Sequence, residues 1–139
     1  MRFFFYGTLM DAEVRSWILG QWIGRRTLAP AVLPRHRRVY LRNRAYPVVV
    51  PDLGHDVRGV LADGLDRRAA ANLAAFESDE YVALERAVIL GSGVAVTARV
   101  FLASRLARPS VRDWDVETWQ RLHKKSFARR HKAPFGLCR

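Results

Sequence analysis

The first residues that could do chemistry lie in the stretch FFFYGTLMDAEV, residues 3–14. A glycine at the end of a strand lets backbone come close to a ligand, and a helix starting just beyond it presents free N–H groups. Tyr6-Gly7-Thr8-Leu9, followed by the capping residue Asp11, therefore makes a corner able to bind an anion or a carboxylate. On pattern alone a tight turn at Gly7 is the simpler account, because the run is far shorter than a phosphate-loop fingerprint. No GxGxxG or Walker-type sequence occurs in the chain.

A second group is Phe76-Glu77-Ser78-Asp79-Glu80-Tyr81. Glu77 follows an apolar position at the end of an alanine-rich stretch, one place past its apolar stripe. A carboxylate there, near the negative end of a helix dipole and among apolar neighbours, has its pKa pushed upward. That is what a general acid or base working near neutrality requires. Asp79 and Glu80 read as solvated loop charges, the usual fate of an acidic cluster in a turn. The four histidines, His36, His55, His123 and His131, do not converge, and no carboxylate lies between the last two, so no metal site is read. The single cysteine, Cys138, permits neither an intrachain disulfide nor a cysteine-based zinc site, and no Ser-His-Asp or Cys-His spacing is present.

These groups need elements to position them. The aromatic run at residues 1–6 predicts a buried first strand ending at Gly7. Asp11 caps a helix reaching about Leu19, with Val14, Trp17 and Ile18 on one face, and Gly20 and Gly24 bracketing its end. Strands are expected at residues 26–33, 38–42, 45–50 and 57–65, punctuated by Pro30, Pro34, Pro47 and Pro51. Asp66 opens a helix with Ala69, Leu73 and Phe76 at helical spacing. Residues 81–90 and 94–102 flank Gly91-Ser92-Gly93, a hairpin signal. A last helix starts at Asp113 or Asp115 and turns Trp119, Leu122 and Phe127 inward. Beyond His131 the tail KAPFGLCR has no periodicity. Many strands with few helices predict an α+β domain on a strongly curved sheet or small barrel, covering residues 1–130, with a short basic tail at 131–139.

At 139 residues, half of them apolar and 27% charged, the chain is one globular domain with a real core. No apolar run reaches the ~20 residues that span a bilayer, and the opening MRFFFYG is too short for a signal-peptide core. Its expected location is the cytoplasm. The net charge of +11 is unevenly spread. Residues 14–51 hold eight arginines and no acid, and residues 118–139 hold seven Lys or Arg and no acid. Such blocks favour polyanions through counterion release. With 21 of 24 basic residues being Arg, they read at least as well as a compositional bias. The run at 121–132 reads better as the solvated back of an amphipathic helix than as a phosphate site.

Taken together, these segments resemble the gamma-glutamylcyclotransferase-like family, which includes gamma-glutamylamine cyclotransferases and the plant avirulence-induced proteins. FFFYGTLMD resembles its Tyr-Gly-Ser/Thr-Leu signature, and RNRAYPVVVPD with VRGVLADGL its middle strands. LAAFESDEY resembles its Phe-Glu-Gly-x-x-Tyr helix end, and WDVETWQRLHKKSF its closing helix. Ser78 stands where the family often has glycine, and the next arginine after Tyr81 is Arg86. The resemblance implies a small mixed barrel flanked by helices, and conversion of a γ-glutamyl amine or amide to 5-oxoproline and a free amine. It implies that Glu77 is the catalytic acid/base, that Tyr6, Gly7, Thr8, Leu9 and Tyr81 bind substrate, and that neither metal nor cofactor takes part. The alternative is a non-catalytic member that binds nucleic acid or another polyanion through its arginines.

Overall fold

The computed structural model describes residues 1–20 and 28–136, with side chains described as far as 130. The first strand, β1 (Phe3–Phe5), is short because Gly7 ends it, and all three phenylalanines are buried. Alternation along a strand sends successive side chains to opposite faces. Phe3 and Phe5 therefore face the helices, while Phe4 and Tyr6 point into a second apolar cluster. A 3-10 turn (Thr8–Met10) leads to α1 (Ala12–Leu19), whose N-cap is Asp11, accepting from the N–H groups of Glu13 and Val14. Val14 and Ile18 are buried as expected and Trp17 is partly so.

Strands β2 (Leu28–Leu41) and β3 (Pro47–Ala62) are longer than the proline positions predict. Their pairing runs antiparallel from Leu28↔Ala62 to Pro34↔Asp56 and resumes at His36↔Pro51. Residues 52–55 are thus left outside the ladder. Arg35 takes a left-handed φ of 59° opposite that excursion, and its N–H is satisfied by Asp56 Oδ1 at 3.1 Å. The four prolines are tolerated because Pro47 begins its strand, Pro34 and Pro51 flank the excursion, and β2 meets a second neighbour beside Pro30 only at Ala31 and Val32. The beginning of the strand expected at 26–33, like Gly24, lies outside the described residues.

Helix α2 (Arg67–Phe76) is capped by Asp66 on the N–H of Ala69, and strands β4 (Tyr81–Leu90) and β5 (Ala95–Ala103) form the hairpin around Gly91-Ser92-Gly93. A further strand, β6 (Pro109–Asp113), was not legible beforehand and is appended to β2 at Val39↔Asp113 and Leu41↔Pro109. Asp113 therefore ends a strand, and it is Asp115 that caps α3 (Val116–Leu122), accepting from the N–H of Thr118. The last helix, α4 (Lys124–Gly136), carries the backbone past residue 131, so the expected start of the tail falls within it. Leu122 is 61% exposed, contrary to expectation, whereas Trp119 and Phe127 are buried. The reason is the break at His123 (φ −126°), which shifts the phase between α3 and α4.

The strand order β3-β1-β5-β4-β2, closed by β2 on β3, is a five-stranded barrel with β6 on its outside. All pairings are antiparallel except β1 with β5, which makes the barrel mixed. The fold is the expected α+β barrel with helices. Every barrel strand contributes to the inner cluster: Phe4, Leu33, Val49, Val88 and Val100 are examples. The outer cluster seals α1 to α4 against β1 and β5 through Phe3, Phe5, Ile18, Leu73, Phe101, Trp119 and Phe127. Each large side chain buried this way contributes about 1.5–3 kcal/mol. No helix among the described residues is long and apolar enough to cross a membrane.

Candidate active site

Where β1 ends, the chain opens into a cavity of about 500 Å³ that is lined by Tyr6, Gly7, Thr8, Leu9, Glu77 and Tyr81 together. All six residues expected at a site thereby line one cavity, from two stretches of the sequence far apart in the chain. The cavity volume is within the range that holds a small-molecule ligand.

The Tyr6–Leu9 loop is fixed from behind by arginines. Arg38 donates to the carbonyl of Tyr6 at 2.9 Å and to that of Arg58 at 3.0 Å, and its Nε donates to Trp114 O. Arg15, buried in α1, donates to the carbonyls of Leu9 and Met10 at 3.0 and 2.8 Å. Two members of the first basic block are thus structural. Arg37 and Arg44 are also partnered, with Asp113 and Glu80. With its carbonyls held this way, the loop leaves the N–H groups of Gly7, Thr8 and Leu9 without an acceptor among the described residues. Gly7 has φ −114°, which any residue can adopt; a Cβ there would instead press on the ring of Pro47, 3.1 Å away.

Glu77 is the C-cap of α2, its N–H bonded to Leu73 O at 2.9 Å. Its side chain is half-buried and lines the cavity, and its carboxylate has no hydrogen-bond or ion-pair partner among the described residues. Loss of bulk solvent raises its pKa from 4.5 to about 8. The expectation of an upward shift from the sequence holds, with burial as the cause.

The two tyrosines are differently placed. The hydroxyl of Tyr6 donates to Phe101 O at 2.5 Å. Tyr81 donates to Pro47 O at 2.5 Å. Burial, reinforced by neighbouring anionic or titratable groups including Glu77, pushes both phenols far above their usual value. Both stay neutral and hold the wall in shape.

Glu80 is no solvated loop charge. With its side chain only 14% exposed, it accepts from Tyr46 at 2.9 Å and Ser78 at 3.1 Å and lies 3.5 Å from Arg44. It thereby clamps the β2–β3 connection onto the start of β4, behind the pocket. Asp79 is exposed as expected.

Sequence reasoning missed the wall formed by Tyr46 and Pro47 and by one stripe of the closing helices, Trp119, His123, Ser126, Phe127 and Arg130. The spacing of 123, 126, 127 and 130 would place them on one helical face, a signal read before only as an aromatic core face. Arg86 does not line the cavity; its side chain donates to Glu85 O. Among the described residues no group of three or more His, Cys, Asp or Glu could hold a metal ion. Cys138 lies outside the described residues, as does the side chain of His131.

The chain is 29% identical over 126 residues to the AIG2-like protein A of Arabidopsis thaliana, covering 89% of this chain and 74% of that one. It is 27% identical to AIG2-like protein D of the same plant, over 93% of this chain and 85% of the relative. The solution structure of an Arabidopsis thaliana protein superposes with a TM-score of 0.70 at 27% identity, over 96% of this chain and 89% of that one. A structure described as gamma-glutamyl cyclotransferase shares the fold, with a TM-score of 0.59 at 16% identity over 96% of this chain and 86% of that one. The family model described as gamma-glutamyl cyclotransferase, AIG2-like, matches residues 3–121, which span the loop, Glu77, Tyr81 and the barrel that joins them. With that span matched, the chain belongs to the gamma-glutamyl cyclotransferase, AIG2-like family.

Proposed function

We propose that this protein is a cofactor-independent cyclotransferase that converts a γ-glutamyl amine or amide into 5-oxoproline and the free amine, with Glu77 as its general acid/base. The observation that carries this reading is a carboxylate of pKa about 8, without a partner among the described residues, lining the same cavity as a loop whose N–H groups have no acceptor among those residues.

The substrate brings its own nucleophile and electrophile. Its α-amine attacks its γ-carbonyl carbon, a C–N bond forms to close a five-membered lactam, and the bond to the leaving amine breaks. One proton leaves the α-nitrogen and one is delivered to the departing nitrogen, so no water is consumed. The α-amine of a γ-glutamyl compound keeps its free α-carboxylate beside it, so near neutrality it enters the site protonated and must lose a proton before it can attack. A carboxylate raised to about 8 lies much closer to such an amine than an ordinary glutamate does, and can accept the proton and return it to the leaving nitrogen. In ordinary solvent a glutamate of pKa near 4.5 would be too weak a base.

Proximity then supplies much of the acceleration, since both reacting atoms belong to one molecule that must be folded into a near-attack shape. The N–H groups of Gly7, Thr8 and Leu9 suit the substrate α-carboxylate or the oxyanion developing on the γ-carbonyl. Tyr6 and Tyr81 act as positioning residues, their hydroxyls tied to Phe101 and Pro47.

The test is mass-spectrometric detection of 5-oxoproline from a panel of γ-glutamyl amines, dipeptides and isopeptides, with Glu77→Gln in parallel. Release by the wild type, with a loss of about 10³-fold or more in the variant, is expected. A Glu77→Gln protein that keeps its activity overturns the assignment of the base, and silence of the wild type across the panel overturns the reaction.

A further inference from the structure

Arg38, in β2, is a partly buried guanidinium with no carboxylate within ion-pair distance among the described residues; Asp115 and Glu117 act on it only from farther away. Its N–H groups go to carbonyls instead. Nε donates to Trp114 O at 3.1 Å, and Nη1 to Tyr6 O at 2.9 Å and Arg58 O at 3.0 Å. The guanidinium also lies over the ring of Trp114, 5.7 Å from its centroid. Trp114 is buried, returns its own N–H to Arg38 O, and gives its indole N–H to the carbonyl of Ala45 on the cavity wall. A charge withdrawn from water without a counter-charge is costly, and neutral donors would hold the same carbonyls without that cost.

The identity of the peptide it grips shows what the charge does. The Tyr6 carbonyl and the Gly7 N–H belong to one peptide unit, and no peptide bond among the described residues is cis. In a planar trans unit these two groups point in opposite directions. With Arg38 behind the carbonyl, the Gly7 N–H is turned to the far side of the unit, and Gly7 lines the cavity. A charged donor on the carbonyl also polarises the unit and strengthens the N–H at its other end. Arg15 has no such effect. The carbonyls it holds, those of Leu9 and Met10, share their peptide units with the N–H groups of Met10 and Asp11, which already bond to Gly7 O and Thr8 O. Of these two arginines, it is Arg38 that grips a unit whose N–H has no acceptor among the described residues.

We propose that Arg38 is a positioning residue of the site: it fixes the Tyr6–Gly7 peptide with its N–H toward the cavity and, through its unneutralised charge, makes that N–H a stronger donor to an anion bound there. For its part in catalysis the inference rests on the cyclotransferase reading, in which that anion is the substrate α-carboxylate or the developing oxyanion.

The experiment follows the glycine amides of protein labelled with 15N-glycine while acetate, a bare carboxylate, is added at pH 6 to wild type, Arg38→Met and Arg38→Lys. In the wild type the Gly7 amide proton is expected to move downfield while the amides of Gly91 and Gly93, in the β4–β5 hairpin, stay still. Arg38→Met should weaken that response by about tenfold or more at equal folded fraction. Arg38→Lys should recover part of it, since an ammonium keeps the charge but lacks the fork that reaches several carbonyls. Where Arg38→Met does not fold, Arg38→Lys carries the test through the same loss in part. A Gly7 amide that ignores acetate in the wild type, or that answers equally in the variants, overturns the inference.

Turnover separates this role from the reaction. With any γ-glutamyl compound that the wild type cyclises, kcat/KM should fall about 10–100-fold in Arg38→Met, in line with weakening one donor at a developing charge, and an unchanged kcat/KM overturns the inference. A wild type that is silent on every γ-glutamyl compound but keeps the Arg38-dependent acetate response overturns the cyclotransferase reading and upholds the placement of Arg38.

Discussion

Lys124, at the start of α4, places its Nζ 2.9 Å from Oδ2 of Asp11, the N-cap of α1. Asp11 is buried, and its carboxylate also takes Gln120 Nε2 at 2.8 Å and the N–H groups of Glu13 and Val14. One carboxylate therefore joins the end of the Tyr6–Leu9 loop to both closing helices, and so holds two walls of the pocket together.

Burial alone would raise the pKa of Asp11, but the bonds from Lys124, Gln120 and Val14 outweigh it and hold it below the ordinary value. A depressed carboxylate contributes stability that is present above its unfolded pKa of about 3.9 and fades as pH falls through the lower folded value. Lys124→Met strips the strongest of those partners from a buried charge. It is expected to cost about 1–3 kcal/mol at pH 7, less than the ~3–5 kcal/mol of a fully buried pair, because Lys124 is partly exposed and Gln120 and two N–H groups still serve Asp11. The wild-type and variant curves should converge in acid, once pH has fallen through the lowered folded value and Asp11 is protonated in both. Urea midpoints across that range give the answer, and a difference that persists unchanged into acid would rule the pair out as its source.

Gly59, in β3, fits against β1 with no space to spare. A Cβ there would run into the carbonyl oxygen of Phe5 and stand 2.6 Å from Cζ of Phe4. The phenylalanine ring could turn away, but the carbonyl belongs to the strand that leads into the site loop. Gly59→Ala should therefore cost about 3 kcal/mol or more, through overpacking that the backbone cannot relieve. Adding Phe4→Leu should leave most of the loss in place. Thermal unfolding of both variants tests this, and full rescue by the double substitution would locate the clash at the ring instead.

The sequence made the site's chemical groups more legible than its enclosure. β1 was announced by its aromatic run, α1 and α2 by Asp11 and Asp66, and the β4–β5 hairpin by Gly91-Ser92-Gly93. Glu77 was legible because its setting at a helix end is local. The excursion at 52–55 and the bend at Arg35 depend on register between two strands, which local propensity does not decide. β6 has no buried side chain, so it left no apolar pattern to read; backbone pairing with Val39 and Leu41 makes it a strand. Glu80 was misread for a related reason. Its partners Tyr46 and Arg44 come from a connection far away in the chain, and only folding shows that the charge is clamped rather than solvated.

Tyr6 and Tyr81 are expected to prove structural in their hydroxyls. Tyr6→Phe would take from Phe101 O its hydroxyl donor inside the barrel end, and Tyr81→Phe would do the same to Pro47 O. Each loss should cost about 1–3 kcal/mol in stability, the penalty for an unsatisfied buried group. Because burial holds both phenols far above their usual value, neither should titrate below pH 10. A spectrophotometric titration at the phenolate band checks this directly: ionisation of either buried tyrosine in the folded protein near pH 10 would contradict the placement.

The sign of the Glu77 shift makes its own prediction about stability. A carboxylic acid whose folded pKa is raised keeps its proton in the native state while the unfolded chain has already released it. Native stability is then undiminished below the unfolded value near 4.5 and declines as pH rises toward about 8. At ~1.4 kcal/mol per unit the full shift would amount to ~5 kcal/mol, an upper bound that water in the open cavity reduces to about 1–3 kcal/mol. Glu77→Gln, a neutral isostere, should therefore unfold like the wild type at pH 5 and be more stable by that amount at pH 9. Catalysis should show the opposite ordering. Wild-type kcat/KM should climb about tenfold per pH unit up to about 8, as the carboxylate form appears, while the glutamine variant stays inactive throughout. A variant stabilised at every pH alike would place the ionisation elsewhere, and an activity plateau already reached at pH 6 would mean that a different group takes the proton.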